Sequence, residues 1–394
     1  MNLPRGWDFL TMDEIGEVQA GRQRSPHLNK GNMLPYLRVA NVQNGWIDFA
    51  DVKEMPFTDK EVATYQLEPG DILLSEGQSL ELVGRPAMYN GEMDLCCFQN
   101  TLVRLRTKRH SSDFVLQLCK YLFDQGAFQR IAKKTTSIAH LGVSRFAGLS
   151  APVPPLSEQR KIADILTTWD VALDKLDALA RARERHKKAL TQQLLTGKRR
   201  LNGFLGAWKK VQLSDLAENI ADQNKGRMGT KSLYAVTKAE GMIPMRDHVK
   251  GESFERCKRV ETDWFAYNPM RINIGSIARW KGKQPVMVSG DYIVFRCLPN
   301  LLEPAYLDHL RRSWMWQSFV TRGGNGSVRV RIYFDDLAEF TFRCPPIEEQ
   351  RQIATILDIA DQELALLRAQ RAAVEQQKRG LMQRLLTGRL RVKT

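Results

Sequence analysis

One stretch of this chain occurs twice. Pro154-Pro155-Leu156-Ser157-Glu158-Gln159-Arg160-Lys161-Ile162-Ala163 returns 191 positions later, without a gap, as Pro345-Pro346-Ile347-Glu348-Glu349-Gln350-Arg351-Gln352-Ile353-Ala354. The match runs on to Leu194-Leu195-Thr196-Gly197 against Leu385-Leu386-Thr387-Gly388. A period near half of 394 residues is too long for a solenoid unit, so it implies two similar halves with a pseudo-two-fold relation.

Between its prolines and its glycine, each copy reads as one long helix. Ser157 is placed to cap the first, Glu158 favours the positive end of the macrodipole, and Gly197 is a left-handed stop. Ile162, Leu166, Trp169, Leu173, Leu176, Ala180, Arg183, Lys187, Leu190 and Leu194 step alternately by four and three. Ile353, Leu357, Ala360, Leu364, Leu367, Arg371, Val374, Lys378, Leu381 and Leu385 do the same, which is the spacing of a coiled-coil seam. A rod of about 40 residues is roughly 60 Å long, and two rods with one apolar stripe each bury those stripes by pairing. The basic interruptions Arg183, Lys187, Arg371 and Lys378 fall in the C-terminal halves. A parallel pair would stack these like charges, whereas an antiparallel pair sets each against the apolar half of its partner, so an antiparallel pair is expected.

The rods divide the chain into residues 1–153, a spacer helix at 154–200, residues 201–344, and a C-terminal spacer helix at 345–394. Trp7-Asp8-Phe9-Leu10 lines up with Trp208-Lys209-Lys210-Val211, so the two larger segments open alike, although their interiors differ. Strand-like runs such as Leu34–Val42, Asp71–Ser75, Asn100–Leu105, Ser232–Val236 and Tyr292–Arg296 alternate with turn residues. A helix is expected around Phe114–Arg130 and another around Pro304–Phe319. The fold class is therefore mixed α and β: two α+β domains with twisted sheets, separated by two long antiparallel helices.

The formal net charge of +15 favours a polyanionic partner. Charge is unevenly spread: residues 1–100 hold 8 basic and 15 acidic side chains, and residues 101–150 hold 9 and 2. No run resembles a membrane span or a signal peptide, which points to the cytoplasm. The six cysteines have no zinc-like spacing and read as buried thiols, and no metal site is expected. Phosphate-loop, zinc-protease and nucleophile-elbow motifs are missing, so no catalytic residues are assigned. Asn268-Pro269-Met270-Arg271 lacks the second proline and the aromatic ring of an amino-methyltransferase motif, and Asp335-Asp336 reads as a solvated turn or a helix cap.

Reading base edges takes forked donors and amides, with Lys, Ser and Thr on phosphates. In the first segment such groups collect at Arg22, Arg24, Arg38, Asn41, Gln78, Gln99, Lys133, Lys134 and Ser137. In the second they are Lys225, Arg227, Arg271, Asn273, Arg279, Lys281, Asn325, Ser327, Arg329 and Arg331.

The doubled Pro-Pro-x-x-Glu-Gln-Arg-x-Ile-Ala, each copy opening a long helix that ends in Leu-Leu-Thr-Gly, resembles the specificity subunits of type I restriction-modification systems. The likeness covers the whole chain, and Pro35-Tyr36-Leu37-Arg38-Val39-Ala40-Asn41-Val42 and Gly70-Asp71-Ile72-Leu73-Leu74-Ser75 are typical of that family's target recognition domains. In the second segment Asn268–Ser276 stands where the glycine-aspartate stretch belongs. The resemblance implies a DNA-binding, non-catalytic subunit in which residues 1–153 and 201–344 each read half of a bipartite double-stranded site while the helices set the spacer. It also implies two methyltransferase subunits using S-adenosylmethionine and a motor-nuclease subunit using ATP and Mg, with no cofactor in this chain. Two alternatives stand beside it: a system with a fused methyltransferase-nuclease partner, and a coiled-coil scaffold whose globular ends bind proteins.

Overall fold

The computed structural model describes residues 3–24, 30–246, 254–322 and 331–393. It forms two compact units, Met1–Asp177 with Ala369–Thr394, and Ala178–Arg368. The two 40-residue helices, Leu156–Leu195 and Ile347–Leu386, are shared between the units rather than forming segments of their own. Among the described residues no helix is long and apolar enough to cross a membrane.

In the first unit, Asp8–Thr11 pairs antiparallel with Ser150–Val153, the strand just ahead of the first long helix. A four-stranded sheet follows in the order Gly16–Ala20, Leu102–Thr107, Asp71–Ser75, Pro86–Tyr89, all antiparallel. The helix Ser112–Asp124 packs against this sheet, and Gly126, at φ +69°, ends it before a short helix, Ala127–Ile131. The expected Phe114–Arg130 helix is thus two helices, because that left-handed turn breaks it. Ile72, Leu74, Val103, Phe114, Leu118 and Phe146 fill the core together with Ile162, Leu166, Met382 and Leu385 from the long helices.

The second unit repeats the plan. Lys209–Gln212 pairs with Thr341–Cys344, and its four-stranded sheet runs Ala217–Ile220, Ile293–Cys297, Phe265–Tyr267, Ile277–Arg279. Pro304–Leu310 and Trp314–Arg322 replace the single helix expected there. Leu194, Ile353 and Leu357 enter its core beside Trp208, Phe265, Phe295 and Trp316.

Three further expectations need correction. The first long helix begins at Leu156, so Ser157 lies within its first turn; the Pro155 carbonyl starts the ladder by accepting the N–H groups of Glu158 and Gln159 at 2.9 and 3.0 Å. The counterpart of Gly70–Ser75 is Asp263–Tyr267, not Asn268–Ser276. Asp263 supplies the positive φ of 69° that Gly70 supplies at 94°, and residues 268–276 form the next turn.

The third correction concerns the seam. Its ends, Ile162, Leu166, Leu194, Ile353, Leu357 and Leu385, are buried in the domain cores, and Leu364 is also buried. Trp169, Leu173, Leu176, Leu190, Leu367, Val374 and Leu381 are half-buried, and Arg183 is exposed. The basic interruptions face acids instead of apolar side chains. In the first unit Arg371 lies 3.0 Å from Asp177 and Lys378 2.5 Å from Asp170. In the second, Arg183 lies 3.9 Å from Glu363, Lys187 pairs with Asp361 and Arg368 with Glu184. Within each unit the numbers rise on one helix as they fall on the other, so the helices are antiparallel there, and charge as well as apolar burial selects that direction.

Candidate nucleic-acid interface

The repeated motif builds the joints on which the candidate surfaces rest. Glu158 is buried and accepts the Trp7 indole N–H at 3.1 Å and the Arg391 guanidinium at 2.7 and 2.8 Å. Glu349, also buried, accepts from Trp208 at 3.0 Å and from Arg200 at 2.8 Å through both nitrogens. Each carboxylate thus holds the first tryptophan of a domain and the arginine that follows the other helix's Leu-Thr-Gly. Gln159 accepts the Ser111 N–H at 3.0 Å and donates to the Pro154 carbonyl at 2.8 Å; Gln350 does the same with Glu303 at 2.8 Å and Pro345 at 3.0 Å. Ser111 and Glu303 are the N-caps of the two domain helices. Gly197 and Gly388, at φ +70° and +73°, end the long helices; a β-carbon would come within 3.2 Å of the Trp208 ring at the first and 2.5 Å of Pro4 at the second.

Glu349→Ala is expected to cost about 1–3 kcal/mol, because the buried Trp208 indole loses its acceptor. Glu349→Gln, which keeps an acceptor, is expected to cost less; thermal unfolding of the two variants checks this.

The polar residues singled out in the sequence fall into three groups. Arg22 and Asn41 are committed inside the first unit, which corrects their reading as surface groups. Arg22 is 3% exposed, lies 2.7 Å from Glu61 and packs over the Phe57 ring. Asn41 donates to the carbonyls of Asp48 and Asp51 at 2.9 and 3.1 Å and accepts the Arg38 N–H at 3.1 Å, which locks its loop. Arg38, Arg279 and Lys281 carry acidic partners: Asp51 at 2.5 Å, Asp263 at 3.0 Å and the buried Asp308 at 3.4 Å. Gln99 is half-buried and its backbone bridges to Arg22.

The third group is presented outward. Arg24, Lys133, Lys134 and Ser137 are exposed, and a small sheet of Lys133–Lys134, Ala139–His140 and Gly77–Gln78 brings Gln78 beside the lysine hairpin. In the second unit Lys225, Arg227, Arg271, Asn273 and Arg331 are exposed, Arg227 lying 3.6 Å from Asp222. Asn325, Ser327 and Arg329 lie outside the described residues.

All six cysteines are buried free thiols, with burial pushing Cys96, Cys119 and Cys344 up to about 12. Asp336 accepts the Tyr333 N–H at 2.9 Å and so caps its helix.

The chain matches the family described as type I restriction modification DNA specificity domain over residues 4–181 and again over 206–376. It belongs to that family. The MjaVIII specificity subunit of Methanocaldococcus jannaschii is 22% identical over the whole of this chain and 95% of its own length. The EcoKI specificity subunit of Escherichia coli is 23% identical over 89% of this chain and 81% of its own. The fold is shared with the crystal structure of the type I S subunit from M. genitalium, at a TM-score of 0.58 and 14% identity over 98% of both chains. Two specificity domains therefore occur in one chain, each delimited by one copy of the Glu-Gln joint.

The joints are the functional feature that sequence reasoning missed. Their signal was present: Glu158 and Glu349, Gln159 and Gln350, and Arg200 and Arg391 all recur at the same offset as the motif itself.

Proposed function

We propose that this chain is the DNA-recognition subunit of a type I restriction-modification complex, each domain reading one half of a bipartite site through the major groove. The observation that carries this reading is a contrast within the chain. Sheets of the same strand order and joints of the same residues support loops that differ, Gly77–Gln78 with the lysine hairpin in one unit and residues 268–276 in the other. A net charge of +15 and outward-facing Lys133, Lys134, Arg24, Arg271 and Arg331 suit a phosphate backbone. The long helices set the spacer and dock two methyltransferase subunits; the exposed Ile165 and Val171 in the first unit, and Ile359 and Leu366 in the second, supply apolar surface for that contact.

Methylation with S-adenosylmethionine, and ATP- and Mg-dependent translocation and cleavage, fall to the methyltransferase and motor-nuclease subunits. This chain works in the cytoplasm as the non-catalytic address of that assembly.

Mapping methylated adenines in a host that expresses the chain with its methyltransferase is expected to return a two-part site. Exchanging residues 1–153 for the corresponding domain of another family member is expected to change one half-site and leave the other half and the spacer unchanged. Methylation without a two-part site, or a change in both halves, would overturn the reading.

A further inference from the structure

The turn from Asn268 to Ser276 has the build of a base-reading element, and its apolar side chains are the part no polar search finds. It joins the third and fourth strands of the second unit's sheet, and it is rigidly held. Ile272 is buried beneath it; the Arg271 carbonyl accepts the N–H groups of Ile274 and Ser276 at 3.2 and 3.0 Å; and the Ser276 hydroxyl donates to the buried Val236 carbonyl at 3.0 Å. Gly275, at φ +96°, permits the reversal. With Ile272 turned inward, Met270 and Ile274 stand outward, 47% and 59% exposed, on either side of Arg271 and Asn273. The turn and the strand after it, residues 268–279, contain no acidic side chain. The equivalent connection in the first unit, residues 76–85, carries Glu76 and Glu81 and exposes no large apolar side chain.

Solvating two aliphatic side chains on a fixed turn is unfavourable unless a partner covers them, and the neighbouring groups indicate its chemistry. A guanidinium, a carboxamide and aliphatic carbon are the set that reads the major-groove edges of guanine, adenine and the thymine 5-methyl group. An A·T pair presents the N7 acceptor and N6 amino donor of adenine, which a carboxamide complements, beside the methyl group of thymine, so adjacent Asn273 and Ile274 can address both bases of one pair.

We propose that the 268–276 turn enters the major groove of the second domain's half-site, and that Ile274, with Met270 beside it, selects thymine by contact with its 5-methyl group. This rests on the DNA-recognition reading above and names a specificity determinant within it.

The test uses the full chain assembled with its methyltransferase subunits, and duplexes carrying the mapped site with each thymine of one half-site replaced singly by deoxyuridine, which lacks only the methyl group. One replacement in the second domain's half-site is expected to weaken binding about four-fold, the equivalent of one buried methyl group. The Ile274→Ala complex is expected to bind the thymine and deoxyuridine duplexes equally, with an unfolding midpoint like that of the unaltered chain. Undiminished discrimination in Ile274→Ala, or tolerance of deoxyuridine throughout that half-site, overturns the proposal. Failure of Ile274→Ala to assemble with the methyltransferase overturns it in favour of a protein contact. Absence of any two-part site sinks the DNA-recognition reading itself, and is seen before this experiment begins.

Discussion

Replacing Asp170 with alanine is expected to destabilise the first unit by about 3–5 kcal/mol, the loss found when one partner of a buried ion pair is removed. Asp170 joins three helices. It accepts from Lys378 at 2.5 Å on the second long helix, and from Lys120 at 3.2 Å and Gln117 at 2.7 Å on the domain helix. Burial alone would raise its pKa, but Lys120 and Lys378 more than reverse this and hold it below the ordinary 3.8. Lys378 shows the opposite balance: burial lowers it from 10.5 in spite of Asp170 and Asp124, and the neighbouring Lys120 ammonium adds to the lowering. The Asp170 contribution is therefore in place above the ordinary aspartate pKa and is lost as pH falls through the lower folded value. Removing Asp170 leaves the buried Lys378 ammonium without its carboxylate, and the unfolding midpoint is expected to fall by roughly 10 °C. Replacing Asp170 and Lys378 together with leucine is expected to recover part of the loss. A single-variant change below about 1 kcal/mol would remove the node from the account of how domain and rod are joined.

A loss of similar size, about 3–5 kcal/mol, is expected for Asp308→Ala in the second unit. Asp308 is 2% exposed on the Pro304–Leu310 helix, with Arg311 at 2.7 Å, Arg312 at 2.9 Å and Lys281 at 3.4 Å. Burial opposes its ionisation, but the three cations prevail and bring the carboxyl down to about 2. With the folded value depressed, the stabilisation is complete above 3.8 and disappears as pH falls through about 2. The difference in unfolding between the wild type and Asp308→Asn is thus expected to be the same at about pH 9 and about pH 7.5, above the carboxyl window and above the ordinary 6.5 of the neighbouring His309, whose imidazole burial lowers and Asp308 raises. A difference that changed between those two values would show that another group carries it.

The rods were legible because a four-three rhythm over ten positions, eight of them apolar in each helix, fits a paired helix and little else, and their direction was legible because like charges cannot be stacked. What those charges met was misread, although Asp170, Asp361 and Glu363 in the N-terminal halves, and Asp177 near the middle, stand where an antiparallel partner needs them. Alternation and turn residues marked strands such as Asn32–Leu37, Asp71–Ser75, Leu102–Thr107 and Ile293–Cys297, and left most of the shorter ones unread. The Gly70 counterpart was misplaced because Asp263 adopts a left-handed backbone that a search for glycine overlooks. At the candidate interface, residue type alone could not separate Arg22 from Arg24. Both are arginines in one loop, yet Glu61 and Phe57 draw the first inward and leave the second in solvent. Outward aliphatic side chains such as Ile274 give no signal in sequence, where an isoleucine near a strand reads as core.

The carboxylate clamps are reciprocal. Glu158 and Arg200 lie in the first half of the chain, Glu349 and Arg391 in the second, and each carboxylate is held by the arginine of the other half. A chain cut to residues 1–200 keeps one socket and one plug, so two such fragments are expected to complete each other by exchange. That assembly would be a homodimer with an isologous joint, and its two identical lobes would favour a palindrome.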